Sequence, residues 1–580
     1  MSSTKSTTPN EQTGGLPPRS FDNNDKDVRF DELNHASIPL EAEEWPVIII
    51  GSSMVGMMTG LLLGYHGIKS ISFDRHPPSD THPRAAGLNY RTSEILRQLG
   101  LEQLARDQSA KEFDIDAGML VVEKLVGGKI LAHLQENDPK EVADVTPCRW
   151  LWITQAMFEP LLRANGAKFG CTQVYNQLVV HYEEDDDGVL VVVQDLKTKE
   201  LKKYRSKYLV ACDGNRSGTR IREGISFDGD GTLRNSLSIR VSGDLSPYLG
   251  TRSVYGVIYV NNTEINGGFR LENQGQSGIA MINRAGGRND FPAGSVTLEQ
   301  ARQYVQSLSG LPDDANLKVE SVSYWTMTSY VANRLQSHGG RVFIAGDAAH
   351  TMPPTGGLGG NTGIGDAHNL AWKLAFVLKG QASRSLLDSY TVERQPVNAF
   401  TVQQATARFY NRIDHVQPRA SEEANLTVEL GYAYPKGAAI HAEGSQLEKV
   451  FESPSAPSAS AGTRFPHVCV QSGGRFLSTL DLIKQNLVLV ATEPNSPWVQ
   501  AVRAVTALTI DAYELHEYSS PIQDAEGSLR KNCSLASGEA LLMRPDGFIA
   551  WRAETRHGKS HLDALNDALR RILGARSDSF

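Results

Sequence analysis

Residues 47–68 run VIIIGSSMVGMMTGLLLGYHGI, 22 positions without a Lys, Arg, Asp or Glu. Few structures accept such a segment. Its length suits a membrane-spanning helix, and Gly56, Gly60 and Gly64 repeat the small-xxx-small spacing of membrane helix pairs. The Gly51-Ser52-Ser53 triplet points the other way. It interrupts a helix but suits a tight turn between a buried strand over 47–50 and a helix from about Met54. A glycine at every fourth position then lets that helix lie close on a sheet. The expectation is therefore strand, turn, helix.

The turn reads Gly51-Ser52-Ser53-Met54-Val55-Gly56, a G-x-G-x-x-G pattern with Ser53 in place of the middle glycine. The first glycine of such a loop makes the turn, the middle one admits a pyrophosphate, and the last allows close helix packing. The Ser53 hydroxyl is expected to donate to a phosphate oxygen. A second short strand follows and ends in Asp74-Arg75. Asp74 lies 23 residues after Gly51, where a carboxylate accepts from a ribose diol.

Two more strand-to-glycine junctions lie far along the chain. Residues 209–220 read LVACDGNRSGTR, and 342–350 read VFIAGDAAH. After the second comes a glycine-dense stretch, MPPTGGLGGNTGIGDAHNLAWKLAFVLKG (352–380). A loop of this kind turns backbone amides toward an anion or cofactor at a helix N-terminus.

These pieces, in this order, resemble the class A FAD-dependent aromatic hydroxylases, which share the p-hydroxybenzoate hydroxylase fold. The likeness runs on through HPRAAGLNYRTSEILRQLGL (82–101), WITQAMFEPLL (152–162) and LLDSYTVERQPV (386–397). It is strongest toward the phenol, chlorophenol and aromatic-polyketide hydroxylases. The resemblance implies an α/β fold: a Rossmann-like FAD-binding domain of the glutathione-reductase type, an interleaved β-sheet substrate domain and a C-terminal thioredoxin-like domain. The expected order is a disordered tail (1–44), a first FAD-binding segment (45–225), the substrate sheet (226–330), a second FAD-binding segment (331–415), a connecting segment (416–462) and the thioredoxin-like domain (463–580).

It also implies roles. Gly51, Ser53 and Gly56 cradle the FAD pyrophosphate, and Asp74 with Arg75 holds the adenosine ribose. Arg91 and Gln155 contact the pyrophosphate and ribityl regions. Asp213 lies near the pyrophosphate on the NAD(P)H path. Asp347, after Gly346, binds a ribityl hydroxyl. Pro353, Gly357, Gly359, Gly360 and Asn361 face the flavin ring. NAD(P)H and O2 are the implied co-substrates, and a flavin C4a-hydroperoxide is the implied oxygen donor to an aromatic substrate. Baeyer–Villiger oxidation and epoxidation are alternative outcomes of the same chemistry; a flavin halogenase and a degenerate, non-redox flavoprotein scaffold are more distant alternatives. The chain departs from the family pattern at Ser53 (usually Gly), at Asp74 (usually Glu) and at Ala86, where some phenol hydroxylases carry an acid.

Strand-like patterns between the two junctions include LSIRVSG (237–243) and SVYGVIYVNN (253–262). The family places the roof of the substrate pocket there. Arg240 and Tyr259 are the candidate catalytic residues, with Tyr255, Val257 and Tyr259 expected on one face.

Composition excludes other classes. Lys and Arg total 58 against 66 Asp and Glu, a net charge of -8, so no basic footprint marks a nucleic-acid partner. The cysteines, 148, 171, 212, 469 and 533, form no C-x-x-C, so neither a zinc pattern nor dithiol exchange is expected. The acid run 183–187 reads as a solvated hairpin turn rather than a metal site, and no metal is expected. The first 20 residues lack an apolar core and the first 44 are acid-rich, which argues against signal and transit peptides and for an intracellular, cytoplasmic enzyme. A homodimer is a further expectation. Residues 452–463, ESPSAPSASAGT, read as a linker or loop.

Overall fold

The computed structural model describes residues 33–574 apart from 79–84, 115, 135–138, 313–314, 415–418, 442–446, 518–520 and 555–558. The charge-free segment resolves into the end of a strand, Leu40–Ile50, and a helix, Met54–Tyr65. Among the described residues no helix is long and apolar enough to cross a membrane. Helix Met54–Tyr65 is apolar all round because it is buried all round. Its glycines set the packing distance. A Cβ at Gly56 would overlap the Gly51 carbonyl, one at Gly60 the Cys171 sulfur, and one at Gly64 the Phe169 carbonyl.

Leu40–Ile50 pairs in parallel with Ser70–Asp74 and with Leu201–Ala211. A parallel strand covered on both faces reads as a continuous apolar run, which is what Val47, Ile48, Ile49 and Ile50 provide. Cys171–Tyr175 adds outside Ser70–Asp74. Leu201–Ala211 forks. Its first half pairs antiparallel with Val189–Asp195, and its last residues pair in parallel with Val342–Ile344. This fork brings the 212–214 and 346–347 turns beside Gly51.

The second sheet has eight strands, in the order His350–Thr351, Lys318–Ala332, Phe227–Ser242, Ser277–Ala285, Ile265–Glu272, Val257–Asn261, Met119–Val122, Ile130–Leu134. One face, with Leu237, Ile239, Ile258, Phe269 and Ile282, packs on Val305 and Leu308 of helix Leu298–Ser309. The third sheet runs from the edge strand Arg475–Ser478 to the edge strand Ile549–Ala553, with three parallel central strands and an antiparallel pair at each side. Helices Pro497–Ala504 and His561–Leu573 cover one face of this thioredoxin-like domain, and Leu529 of the short helix Ser528–Asn532 packs on the other. All five cysteines are free.

Three expectations change, and a fourth is made specific. The tail is expected to reach residue 44, but the first strand starts at Leu40; residues 1–32 lie outside the described residues. The substrate sheet is not confined to 226–330. It recruits Met119–Val122, Ile130–Leu134 and His350–Thr351, because edge strands are supplied by whichever segments pass beside it. The linker or loop expected at 452–463 is a loop, and a packed one: Ala459 and Ala461 are buried, and Gly462 hydrogen-bonds to Tyr434 and Ile549 through its backbone. Tyr255 does not share the face of Tyr259. It packs in the helix-covered core, while Tyr259 packs against the first domain.

Candidate active site

The phosphate-type loop is built where three strands end. Gly51 adopts φ +95°, and its N–H donates to Phe73 O at 2.8 Å. A side chain there would collide with the Cys212 carbonyl, so only glycine fits. Ser52 N–H donates to Asp74 Oδ2 (2.6 Å), and His76 N–H donates to Asp74 Oδ1 (2.8 Å). Ser53 occupies the N-cap position of helix Met54–Tyr65 without capping it. Its Oγ donates instead to Glu159 Oε1 (2.9 Å), while Gln155 Nε2 donates to both Ser53 Oγ (3.1 Å) and Glu159 Oε1 (2.6 Å). The first-turn amides of the helix are thus left without a side-chain acceptor, as at an anion site. Arg75 is half-buried and donates to His76 Nε2 at 3.1 Å.

Asp213 stands just past the end of Leu201–Ala211. Its Oδ2 accepts from Thr219 N (3.2 Å) and Oγ1 (3.0 Å), while Oδ1 is buried with no partner. Burial raises its pKa against those hydrogen bonds. Across the gap, Asp347 lies exposed in the turn Gly346–Ala348. Asp366, in helix Leu358–Leu378, holds that turn. Its Oδ2 accepts from Gly346 N (3.1 Å) and His350 Nε2 (3.0 Å), and its Oδ1 from Arg394 Nε (2.9 Å). Burial alone would raise Asp366, but Arg394 and His350 hold it below the usual carboxylate range. Asp366 falls within the glycine-dense stretch but was not among the expected cofactor residues; it is the one acid of a helix that also carries Asn361, His368, Asn369 and Lys373.

Helix Leu358–Leu378 starts at Gly357, which has φ +66° and no side-chain cap. A Cβ on Gly360 would overlap the Met54 side chain, so the N-termini of the two helices converge. Gly357 is exposed, Gly359 and Gly360 are half-buried, and Pro353 is buried.

The roof is the second face of the eight-stranded sheet, with Tyr259, Met281, Ser238 and Arg240. Tyr259 is half-buried, and burial raises its phenol pKa, with Arg412 acting in the other direction. Arg240 pairs with Glu272 at 3.6 Å, and Glu272 also takes Arg270 Nη2 at 2.7 Å. Two strands separate Tyr259 from Arg240, roughly 14 Å across the sheet. The two candidates therefore do not meet on one atom.

Arg408, in the last turn of helix Ser389–Phe409, is a cation that the motifs did not flag. It is buried. Nη2 donates to Asn425 Oδ1 (3.1 Å) and Glu423 O (3.3 Å), but Nε and Nη1 are buried without a hydrogen-bond partner. The nearest carboxylate oxygen, on Glu422, is 3.7 Å from Nε and is already bonded to Arg412, while its twin oxygen takes Asn411. The guanidinium lies against Gly356 of the glycine loop: a Cβ there would stand 3.4 Å from Nη1. Glu429 lies behind, fully buried, accepting from Tyr90 N at 3.3 Å. Burial pushes it up to about 7, with Arg408 pulling the other way.

Comparison with known proteins agrees with this arrangement. A family model described as an FAD binding domain matches residues 44–405, and one described as aromatic-ring hydroxylase, C-terminal, matches 458–575. The chain belongs to the FAD-dependent aromatic-ring hydroxylases. It is 37% identical over 553 residues to a 4-methyl-5-nitrocatechol 5-monooxygenase of Burkholderia sp, covering 92% of this chain and 99% of the relative. It is 33% identical to a tetracenomycin B2 monooxygenase-dioxygenase of Streptomyces olivaceus, covering 91% and 99%. The solved structure of an aklavinone-11 hydroxylase in complex with FAD and aklavinone superposes with a TM-score of 0.84 at 28% identity, over 92% of this chain and 100% of that one.

The residues of this hydroxylase fit FAD. The glycine cradle at Gly51, the uncapped helix N-termini and the unpartnered buried Asp213 Oδ1 are the donors and acceptors that such a cofactor needs. Three implied roles need correction. Arg91 is not turned to the loop. Nη1 pairs with Glu94 (2.7 Å), Nη2 donates to Asp546 O (2.5 Å), and the group lies over Phe548, so Arg91 docks the C-terminal domain. Asn361 is a clamp with its amide fully used. Oδ1 accepts from Asn89 N (3.1 Å) and Thr92 Oγ1 (2.7 Å), and Nδ2 donates to Gly87 O (3.2 Å) and Gly357 O (2.7 Å). The Ser53 hydroxyl proton goes to Glu159, not outward.

Proposed function

We propose that this FAD-dependent monooxygenase hydroxylates a phenolic ring held as its phenolate between the glycine loop and the sheet, with NAD(P)H as electron donor. The observation that carries this reading is Arg408: a buried guanidinium with two unfilled donors beside Gly356. A buried cation with unfilled donors is costly and favours an anionic partner. Bound FAD supplies the reduction and oxygen activation. The chain's own work is different. Arg408 holds the ring oxygen as an anion, which raises electron density at the carbon to be attacked. Tyr259 closes the roof. Asp213 and Asp347 fix the cofactor from either side of the strand ends. The buried walls keep water out, which protects the reactive oxygen species. The relatives named for 4-methyl-5-nitrocatechol and for tetracenomycin B2 support an aromatic substrate, the nitrocatechol a phenolic one.

The test uses the flavin-loaded protein with 4-nitrocatechol, whose ionisation is visible by difference spectroscopy. Binding is expected to lower its apparent pKa, and Arg408→Met to raise the bound value by about one unit or more while FAD stays bound. Hydroxylated product should accompany NAD(P)H oxidation. NAD(P)H consumption that never yields hydroxylated product across a panel of phenols and polycyclic phenols would overturn the reading.

A further inference from the structure

The hairpin strand Gln177–Glu184 forms the outer edge of the first sheet, far from the flavin loops in the strand order. Its register shifts between Val179 and His181, a bulge that re-aims the side chains beyond it. His181 and Glu183 then share a side of the strand, two residues apart. His35, from the segment that precedes the first strand, lies over them, its ring 5.5 Å from that of His181. His35 Nε2 is 3.1 Å from Glu183 Oε1, and His181 Nε2 is 3.2 Å from the same oxygen. All three potential ligand atoms lie within 4.8 Å of one another.

We propose that His35, His181 and Glu183 form a site for a divalent transition metal, zinc by its donor set. Zinc bonds of 2.0–2.2 Å to nitrogen and oxygen in a tetrahedron give ligand–ligand edges of about 3.3–3.4 Å. The two edges of 3.1 and 3.2 Å come within about 0.3 Å of that value, and the third, between the two imidazole nitrogens, is at most 4.8 Å, so turning the two rings toward each other admits the ion. Two imidazoles and one carboxylate are a borderline set that suits zinc better than magnesium or calcium, which take oxygen shells. Access is open on one side: the Glu183 side chain is 48% exposed while that of His181 is 4% exposed, leaving the outer position for water. His35 Nδ1 is buried with no partner, so the ring is oriented at Nε2 alone. The backbone is held in advance, since Lys203 Nζ and Ile38 N both donate to His35 O. Metal binding would pin the segment before the first strand to the sheet edge. It would be structural, with no role in oxygen transfer.

The experiment takes the full-length, flavin-loaded protein after chelator treatment. ZnCl2 is titrated against a chromophoric chelator, and thermal midpoints are read with and without one equivalent. One zinc per chain, a raised midpoint, and affinity reduced by about 100-fold or more in His35→Ala and in Glu183→Gln are expected. Both positions retain solvent exposure, and unchanged flavin absorbance shows that the variants are folded. Co2+ gives a second reading: d–d bands without the thiolate charge-transfer band that the exposed Cys469 would add. No stoichiometric zinc in the wild type overturns the proposal. So does zinc or cobalt that binds both variants as tightly as the wild type.

Discussion

Ser53 shows how a single hydroxyl is claimed by its neighbours. The residue replaces a glycine, yet its Oγ sits in a triangle with Gln155 and Glu159 rather than facing a ligand. Ser53→Ala is expected to lower stability by about 1 kcal/mol, the net worth of a hydrogen bond, and to leave the FAD dissociation constant within about twofold. Thermal melts beside flavin titration check this. Glu429 carries a pH signature. Its pKa rises from 4.5 to about 7 on burial, so between those values the folded state binds the proton that the unfolded state has lost. Stability should therefore fall as pH rises from about 4.5 to 7 and level off above. The group contributes a destabilisation of about 3 kcal/mol at pH 8. Glu429→Gln keeps an acceptor for Tyr90 N but cannot ionise. Its melting curve should match the wild type near pH 4 and exceed it at pH 8. Parallel pH profiles for the two proteins would remove Glu429 from this role.

Helix Met54–Tyr65 shows what an element needs beyond propensity. Three glycines weaken it as a helix, by roughly 1 kcal/mol each relative to alanine when isolated. In the fold they are required, because each meets a different neighbour at contact distance. Gly60→Ala should therefore destabilise despite its better helix propensity, by about 1–3 kcal/mol, through collision with the Cys171 sulfur. Adding Cys171→Ala should recover some of that loss. A double-mutant cycle of thermal or urea unfolding would show coupling above about 0.5 kcal/mol if the contact is the cause. Additive effects would place the strain elsewhere.

The whole molecule is joined by buried charge. Glu393 accepts from Lys373 Nζ (2.7 Å), Asn369 Nδ2 (2.7 Å), Ala438 N (2.7 Å) and both Nη atoms of Arg544 (2.7 and 2.9 Å). Arg544 also grips Asp546, and Arg464, just before the third sheet, chelates Glu94. Burial brings Lys373 down to about 8, while Arg544 and Lys373 hold Glu393 near 2 against the burial that would raise it. The thioredoxin-like domain, without a redox pair, thus acts as a brace against the two long helices beneath the flavin loops. Glu393→Gln leaves the buried Lys373 without its ionised partner and Arg544 with Asp546 alone, and should cost about 3–5 kcal/mol. Urea unfolding of the flavin-loaded protein measures it. Loss below about 1 kcal/mol would mean that the apolar contacts of Trp372 and Phe376 dock the domain unaided.

The strand–turn–helix at 47–65, the junctions at Asp213-Gly214 and Gly346-Asp347 and the glycine loop were readable from the chain alone. Each is a local rule: a glycine where φ is positive or a backbone comes close, an apolar run where a strand is covered on both faces. Those rules act over a few residues, and spacing records them. Partner choice for a long charged side chain is not local. Arg91 stands in a family motif but spends its guanidinium on a carbonyl 455 residues away. Arg408 carries no motif and gains its place only because the helix end packs on Gly356. His35 and His181 come together only when the sheet edge forms. Sequence by itself determined the backbone that FAD requires. Which ions are paired, orphaned or gathered was decided by tertiary structure, because hydrogen bonds and Coulomb forces act through space and take no account of sequence distance.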